Sequence, residues 1–493
     1  MRLVVPAVLA ALVAGPAFAQ GPETAPGAYE EARGGFGAYE AAAFDILKTP
    51  LGAIGGGETA RIEARLGADW AAWAGEDGGY TLVDLATQRR LTIPAGDDVL
   101  VNTSLYAEAR RRLDIYAGLS RGGTEEMISF GEAGEFDRTW LEAAMGIAAT
   151  EGVLTVTETE AGFEASLKGE PVFAADYGAG EATRCEREAL TGDAAASALI
   201  LARHAAPLHP DVMTRLAEET RFPCAFDFVV YSPESPEGRR ETWVLADAEA
   251  EGPVLPSGLS ARLPQSELIG AAGGTALAAA RGEAGDAPDA ASFFERAAAL
   301  RAEGDLAGAF LTATQEAHHF GPCPDEAVGT GRLACAELRG LTAAGIGDAD
   351  VERVLEGVAA LRDGDPAQAV NRLSAFIDRE DAASAAARIL VAEALLAWGR
   401  EGLESRPDLD PAGLLAEAIA IDPFAADAYG RLGRLYLQAG APHAAWVFFD
   451  LGRALPGREA TPALAQAGEL ETRLEAVAPA WTGRAAARES SPQ

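Results

Sequence analysis

A chain of 493 residues has room for two or three domains, and 48% hydrophobic residues let it bury sizeable cores rather than remain disordered. Its formal net charge of -35 excludes nucleic acid or an anionic membrane as a partner held by charge attraction, because phosphates would be repelled. Lysine is confined to Lys48 and Lys168, so arginine supplies nearly all of the positive charge.

The chain opens with a positive Met1-Arg2, an apolar stretch from Leu3 to Val13, and the small-x-small pattern Ala17-Phe18-Ala19. This predicts a signal peptide over residues 1–19, a mature start at Gln20, and export to the periplasm. No later apolar run reaches the roughly 18 residues that a span needs, so no membrane span is expected. Residues 20–57 read as a mobile Gly/Glu/Ala/Pro-rich segment, broken by a short helix around Ala41 to Leu47.

An α+β domain is expected over residues 58–265. Tyr80–Leu85 and Arg90–Ile93 read as strands joined by polar turn residues, and Val99–Val101 continues an antiparallel β-meander. Ser104 is placed to cap a helix over Leu105–Leu119, whose apolar side is Leu105, Ala109, Leu113 and Tyr116, with Arg110-Arg111-Arg112 mainly on the other side. A second helix is expected over Thr139–Ala148. A hairpin of Val153–Thr159 and Phe163–Leu167 turns at Ala161-Gly162, where glycine would supply a positive φ. Pro171–Tyr177 adds a strand, Asp193–Arg203 and Asp211–Glu219 add helices, and Ala225–Tyr231 with Glu241–Ala246 forms a last hairpin looped by SPESPEGR. The Ala/Gly-rich residues 266–289 read as a linker.

Cys185, Cys224, Cys323 and Cys335 suit an oxidising compartment. Three connectivities are open. The local pairs Cys185–Cys224 and Cys323–Cys335 place one bridge in each domain. With no CxxC and no nearby Cys-His grouping, neither a metal nor another cofactor is expected.

The second domain, residues 290–478, is organised around AADAYGRLGRLYLQAGAPHAAWVFFDLGRALPGRE, Ala426 to Glu459. Tyr429, Leu432, Gly433 and Tyr436 share one helix face, Gly440 and Pro442 break the pattern, and Ala445, Phe449 and Gly452 mark a second helix. The order of large and small residues resembles the tetratricopeptide (TPR) repeat, with a period of about 34 residues. Stepping back one period reaches GLLAEAIAIDPF, preceded by SAAARILVAEALLAW and a loop over Gly399–Asp410. The turn signatures Ala360–Val370 and Ala299–Ala309 repeat the theme. The resemblance implies an all-α TPR-like solenoid, followed by a disordered tail over residues 479–493.

In such repeats the ligand lies against the inner faces of the first helices. That pattern puts Arg301, Arg362, Arg388, Arg431 and Arg434 at or near inward positions, with Val354, Val358, Leu395 and Leu437 beside them. Arginine can hold a carboxylate by two parallel hydrogen bonds, so an acidic or C-terminal peptide is the implied ligand. The competing reading pairs these arginines with the abundant Glu and Asp, and it is the favoured one. In the N-terminal half, YTLVDLATQRRLTI followed by a capped helix resembles the periplasmic carriers of the LolA family, which implies a curved sheet with an apolar concave face.

No G-x-S-x-G elbow, S-x-x-K, HExxH or phosphate loop occurs. The five histidines, His204, His209, His318, His319 and His443, read as surface or packing residues, and the pairs Trp70/Trp73 and Phe448/Phe449 as core. The expected function is therefore an exported scaffold or adaptor that binds a protein or peptide and is not an enzyme. The alternatives are a carrier of an apolar ligand or lipoprotein, and an enzyme with an unrecognised site in the N-terminal domain.

Overall fold

The computed structural model describes residues 40–51, 59–67, 69–75, 78–121, 146, 154–167, 169–179, 183–206, 208–232, 235–247, 260–323, 332–344, 348–379, 381–455 and 461–483. The expected signal peptide, the expected helix over Thr139–Ala148 apart from Gly146, and the residues beyond Gly483 lie outside them. The chain forms two units. One is α+β and comprises residues 24–264 with 471–493; the other is all-α and comprises residues 265–470.

The α+β unit is built on a twelve-stranded sheet in the order β14-β6-β5-β4-β3-β2-β1-β13-β12-β9-β8-β7. Its strands are β1 (Glu40–Leu51), β2 (Ala60–Gly67), β3 (Trp70–Gly75), β4 (Tyr80–Asp84), β5 (Arg89–Ile93) and β6 (Val99–Ser104). They continue with β7 (Leu154–Glu158), β8 (Gly162–Leu167), β9 (Glu170–Asp176), β12 (Ala225–Ser232), β13 (Ser235–Asp247) and β14 (Ser260–Arg262). The pairings are antiparallel except β14 with β6. A separate ribbon pairs β10 (Leu190–Thr191) with β11 (Arg221–Phe222).

Local chemistry explains the hairpins. Between β4 and β5, the Asp84 carboxylate accepts from the Ala86 N–H at 2.9 Å and from the Thr87 hydroxyl, closing the turn. Between β7 and β8, the Gly162 N–H donates to Thr159 Oγ1 at 3.0 Å. Gly162 does not take the expected positive φ. It already lies in β8, where a Cβ would stand 2.3 Å from the Ala175 carbonyl oxygen, so close strand approach is what requires glycine.

Four expectations for this unit are corrected. Ala41–Leu47 is not helical but part of β1, a strand paired on both edges, by β2 and β13. Two ladders outweigh the helix preference of an alanine-rich stretch. The meander starts well before Tyr80, with β1, β2 and β3; in β2, Arg61-Ile62-Glu63-Ala64-Arg65-Leu66 alternates polar and apolar, which is the strand signal. The second half of SPESPEGR is not loop but the start of β13. The expected tail begins as an ordered helix, Pro479–Thr482, within this unit.

Helices α1 (Leu105–Arg121), α2 (Gly192–Ala205) and α3 (Pro210–Glu218) complete the unit. His209 caps α3, its Nδ1 accepting from the Asp211 N–H at 3.2 Å. Helix α2 lies on β1 to β4. Its Ala198, Leu201 and Ala202, with Val212, Met213 and Leu216 of α3, bury Ile46, Leu66 and Leu245 of the sheet. The core continues through Phe163, Phe173, Phe226, Phe228 and Trp243, whose neighbouring ring centroids lie 5.4 to 5.8 Å apart.

The all-α unit comprises α4 (Ser266–Ala280), α5 (Ala290–Glu303), α6 (Leu306–Phe320), α7 (Leu333–Ala344), α8 (Ala349–Asp363) and α9 (Pro366–Leu373). It continues with α10 (Ala382–Ser405), α11 (Pro411–Ile421), α12 (Ala426–Gln438), α13 (Pro442–Ala454) and the start of α14 (Pro462–Val477). The repeated turn signature has a definite geometry. Gly304 and Gly364 adopt left-handed φ of 90° and 81° at helix ends, and Asp305 and Asp365 cap the next helix by accepting from Gly308 N–H and Gln368 N–H.

The residues read as a linker, 266–289, instead begin with α4, which packs on α11 and α13. Tyr436 donates to the Leu268 carbonyl at 3.0 Å, and the Ala444 N–H donates to Gln265 Oε1 at 2.9 Å. The loop expected from Gly399 is helical to Ser405, with a kink where Gly399 takes a φ of 66°. Helix α10 is long and apolar enough to cross a membrane, yet most of it is buried inside this unit.

The assigned packing residues meet as follows. Tyr429, Leu432, Gly433, Tyr436, Ala445 and Phe449 are buried, and Tyr436 stacks on Phe448 at 5.6 Å. A Cβ on Gly433 would stand 2.4 Å from Phe449 Cε1 and 3.0 Å from the Ala445 carbonyl oxygen. Gly433→Leu is therefore expected to overpack the α12–α13 contact and cost roughly 1–3 kcal/mol in denaturant unfolding. A midpoint equal to the parent's would show that α12 and α13 do not approach through this glycine.

Candidate functional site

Helix α6 occupies the middle of the all-α unit. It packs on α5, α7, α8, α10 and α12, and its buried residues run round its circumference: Phe310, Leu311, Ala313, Gln315, Glu316, His318 and His319 among them. A linear array in which each pair touches only its neighbours would not bring α6 to α10 and α12.

The polar end of α6 meets two aspartates. Gln315 Nε2 donates to Asp422 Oδ2 at 2.7 Å, and His319 Nε2 lies 2.5 Å from the same oxygen. His318 Nδ1 lies 3.3 Å from Asp427 Oδ2. Arg431 Nε donates to Asp427 Oδ2 at 2.6 Å, and its Nη2 lies 3.0 Å from Glu393 Oε2 on α10. Burial alone would raise the Asp422 carboxyl, but His319, Gln315 and the Phe424 N–H outweigh it and hold the group below its ordinary value. For Asp427 burial is likewise outweighed, by the His318 hydrogen bond and Arg431, and the carboxyl falls to about 2. Glu316 goes the other way: burial raises it, and Arg332 at 2.8 Å offsets only part of that.

These histidines are buried, as packing histidines would be, but each faces a carboxylate. His319 is fully enclosed, and the dyads clamp α6 to the α11–α12 junction and, through Arg431, to α10. The available signal was a His318-His319 pair in the last turn of a mainly apolar helix; nothing nearby in sequence named Asp422 or Asp427 as partners.

The five candidate groove arginines are not gathered into one patch by any contact. Arg301 donates to Glu337 at 2.7 Å, Arg362 to Asp363 at 3.1 Å, and Arg388 to Glu417 at 2.8 Å and to the Ser384 hydroxyl. Arg431 is held by Asp427 and Glu393, as above. Arg434 is exposed and has no ion-pair or hydrogen-bond partner among the described residues. It lies seven residues after Asp427, on the same face of α12. The α6 clamp therefore covers the N-terminal half of that face, while Arg434 and the half-buried Leu437 occupy its C-terminal half.

Both local cysteine pairs are at disulfide distance, with Cα–Cα separations of 5.3 Å for Cys185–Cys224 and 5.6 Å for Cys323–Cys335. Asp176 and Glu316 bring a carboxylate beside the respective pairs, close enough for a three-donor metal set. In each set, however, the two sulfurs are bonded to one another and are not thiolates. The oxidised pairs fit a compartment outside the reducing cytosol. No protein-family model, curated protein or solved structure matches this chain.

Proposed function

We propose that the protein is an exported adaptor of the bacterial cell envelope whose all-α unit, made of TPR-like helix pairs folded back on α6, holds a protein or peptide partner against the C-terminal half of α12. The observation that carries this reading is Arg434. It is the candidate groove arginine without an acidic partner among the described residues, it is exposed, and Leu437 adds an apolar contact one turn on. Such a site takes an acidic or C-terminal carboxylate, which a guanidinium binds in a bidentate manner. The other four arginines are engaged internally, so the site is smaller than a full concave groove. The sequence pattern of residues 1–19 and the two oxidised cysteine pairs support export.

A photoreactive residue at Leu437 in the exported protein is expected to capture one discrete partner. Arg434→Glu should lower that yield at least about tenfold, as for loss of roughly 1.4 kcal/mol, without altering the melting temperature. Capture unchanged by Arg434→Glu, or no capture at Leu437, rejects the site.

A further inference from the structure

The α+β unit contains a second cluster, and its charge runs against that of the chain. Arg90 on β5, Arg112 on α1 and Arg203 lie near His204 on α2, and Arg112 and His204 pack on Trp481 of the C-terminal helix Pro479–Thr482. The Arg112 guanidinium carbon lies 3.6 Å above the Trp481 ring, and the His204 ring meets the indole edge-on at 5.3 Å. Arg112, expected mainly on the side of α1 away from its apolar positions, is thus covered by the indole. Gly483 abuts Arg203, since a Cβ there would stand 3.2 Å from Arg203 Nη1.

The cluster is short of acceptors. Glu108 approaches Arg90 at 3.8 Å and Arg112 at 3.5 Å, and it is the carboxylate paired with the cluster among the described residues. Arg203 has no such partner there. The Nε atoms of Arg90, Arg112 and Arg203 and both ring nitrogens of His204 are out of solvent and without hydrogen-bond partners. Among the described residues three guanidiniums thus face one carboxylate, in a chain with 75 acidic and 40 basic residues. Leaving a desolvated cation unpaired costs several kcal/mol, and an apolar wall such as Trp481 increases that cost. The same surroundings strengthen attraction to an anion that reaches these donors. The side chains of Arg90 and Arg112 remain 26% and 24% exposed, so a ligand has an approach.

We propose that Arg90, Arg112, Arg203 and His204, walled by Trp481, form a binding site for a dianionic phosphoryl group. A phosphate monoester presents three oxygens to donors arriving from three elements, whereas a carboxylate presents two. Its two negative charges match the excess of guanidiniums over Glu108. Burial, followed by Arg90, Arg203 and Arg112, holds the His204 imidazole well below its ordinary value, so at neutral pH it contributes one N–H donor and not a charge. The acidic exterior repels phosphates at long range, which is why recognition needs this local concentration of positive charge.

The test is calorimetric titration of the full-length protein in phosphate-free buffer. The probes are inorganic phosphate, glycerol 3-phosphate, citrate, and phosphatidylcholine vesicles with and without phosphatidic acid. Binding of the two soluble phosphates assigns a free ligand; binding confined to phosphatidic acid vesicles assigns a lipid headgroup. In either case Arg203→Met should weaken binding at least tenfold. Without anion it should melt no lower than the parent, because it removes an unpaired cation. Arg90→Gln, at a more exposed position, should weaken binding in the same direction. No binding of any phosphoryl probe, preference for citrate, undiminished binding in both variants, or an anion-free Arg203→Met that melts below the parent overturns the proposal.

Discussion

Replacing Asp422 by alanine is expected to destabilise the all-α unit by about 3–5 kcal/mol, the range for removing one partner of a buried charged pair. Asp422 is buried and receives Gln315, His319 and the Phe424 N–H. Alanine would leave Gln315 and His319, both fully enclosed, without that acceptor. The loss falls on contacts joining segments more than a hundred residues apart, so it should appear as a lower unfolding midpoint of the whole unit. Acid titration gives a second readout. Asp422 and Asp427 both titrate lower when folded than the ordinary 3.8. Their stabilisation is therefore complete above the unfolded value and is lost as pH falls through the folded value, about 2 for Asp427. Asp422→Ala should flatten the fall in stability as the pH drops below the ordinary carboxylate value of 3.8. A variant within about 1 kcal/mol of the parent would show that the clamp does not hold α6.

Removing the Cys185–Cys224 bridge with Cys185→Ala and Cys224→Ala is expected to cost about 4 kcal/mol. In the chain-entropy model the cost grows with the loop closed, and here the cysteines are 39 residues apart. The same model assigns about 3 kcal/mol to Cys323–Cys335, which are 12 apart. Cys224 also sits in the core of the α+β unit, its N–H donating to the Asp176 carbonyl at 3.0 Å and its carbonyl accepting from Leu245 N–H at 2.8 Å. Thermal melts of the two double variants should rank in this order. Free thiols in non-reducing peptide maps of the parent, or equal melts for parent and the Cys185/Cys224 variant, would refute the expectation.

Features of short range were legible in the sequence. The β4–β5 and β7–β8 hairpins, helices α2 and α3, the Gly-Asp turns at Gly304-Asp305 and Gly364-Asp365, and the α12–α13 pair follow from period, turn residues and caps. Each is stabilised by groups a few residues apart, so the pattern and its cause occupy the same stretch. The cysteine pairs, 39 and 12 residues apart, were one of the three connectivities that the sequence left open. The α+β and all-α division followed from the change in periodicity.

Contacts between distant segments were decided only by the tertiary structure. Alanine-rich β1 is a strand because β2 and the remote β13 both pair with it. Asp422 and Asp427 meet His319 and His318 because α6 turns inward to α10 and α12, which no repeat period specifies. Arg112 was one of three consecutive arginines placed mainly opposite the apolar side of α1, and the sequence did not show that the C-terminal helix lays Trp481 over it. Periodicity states which face of an element is apolar. It does not state which other element covers that face, and in this protein the covering elements determine which arginines are left without acids.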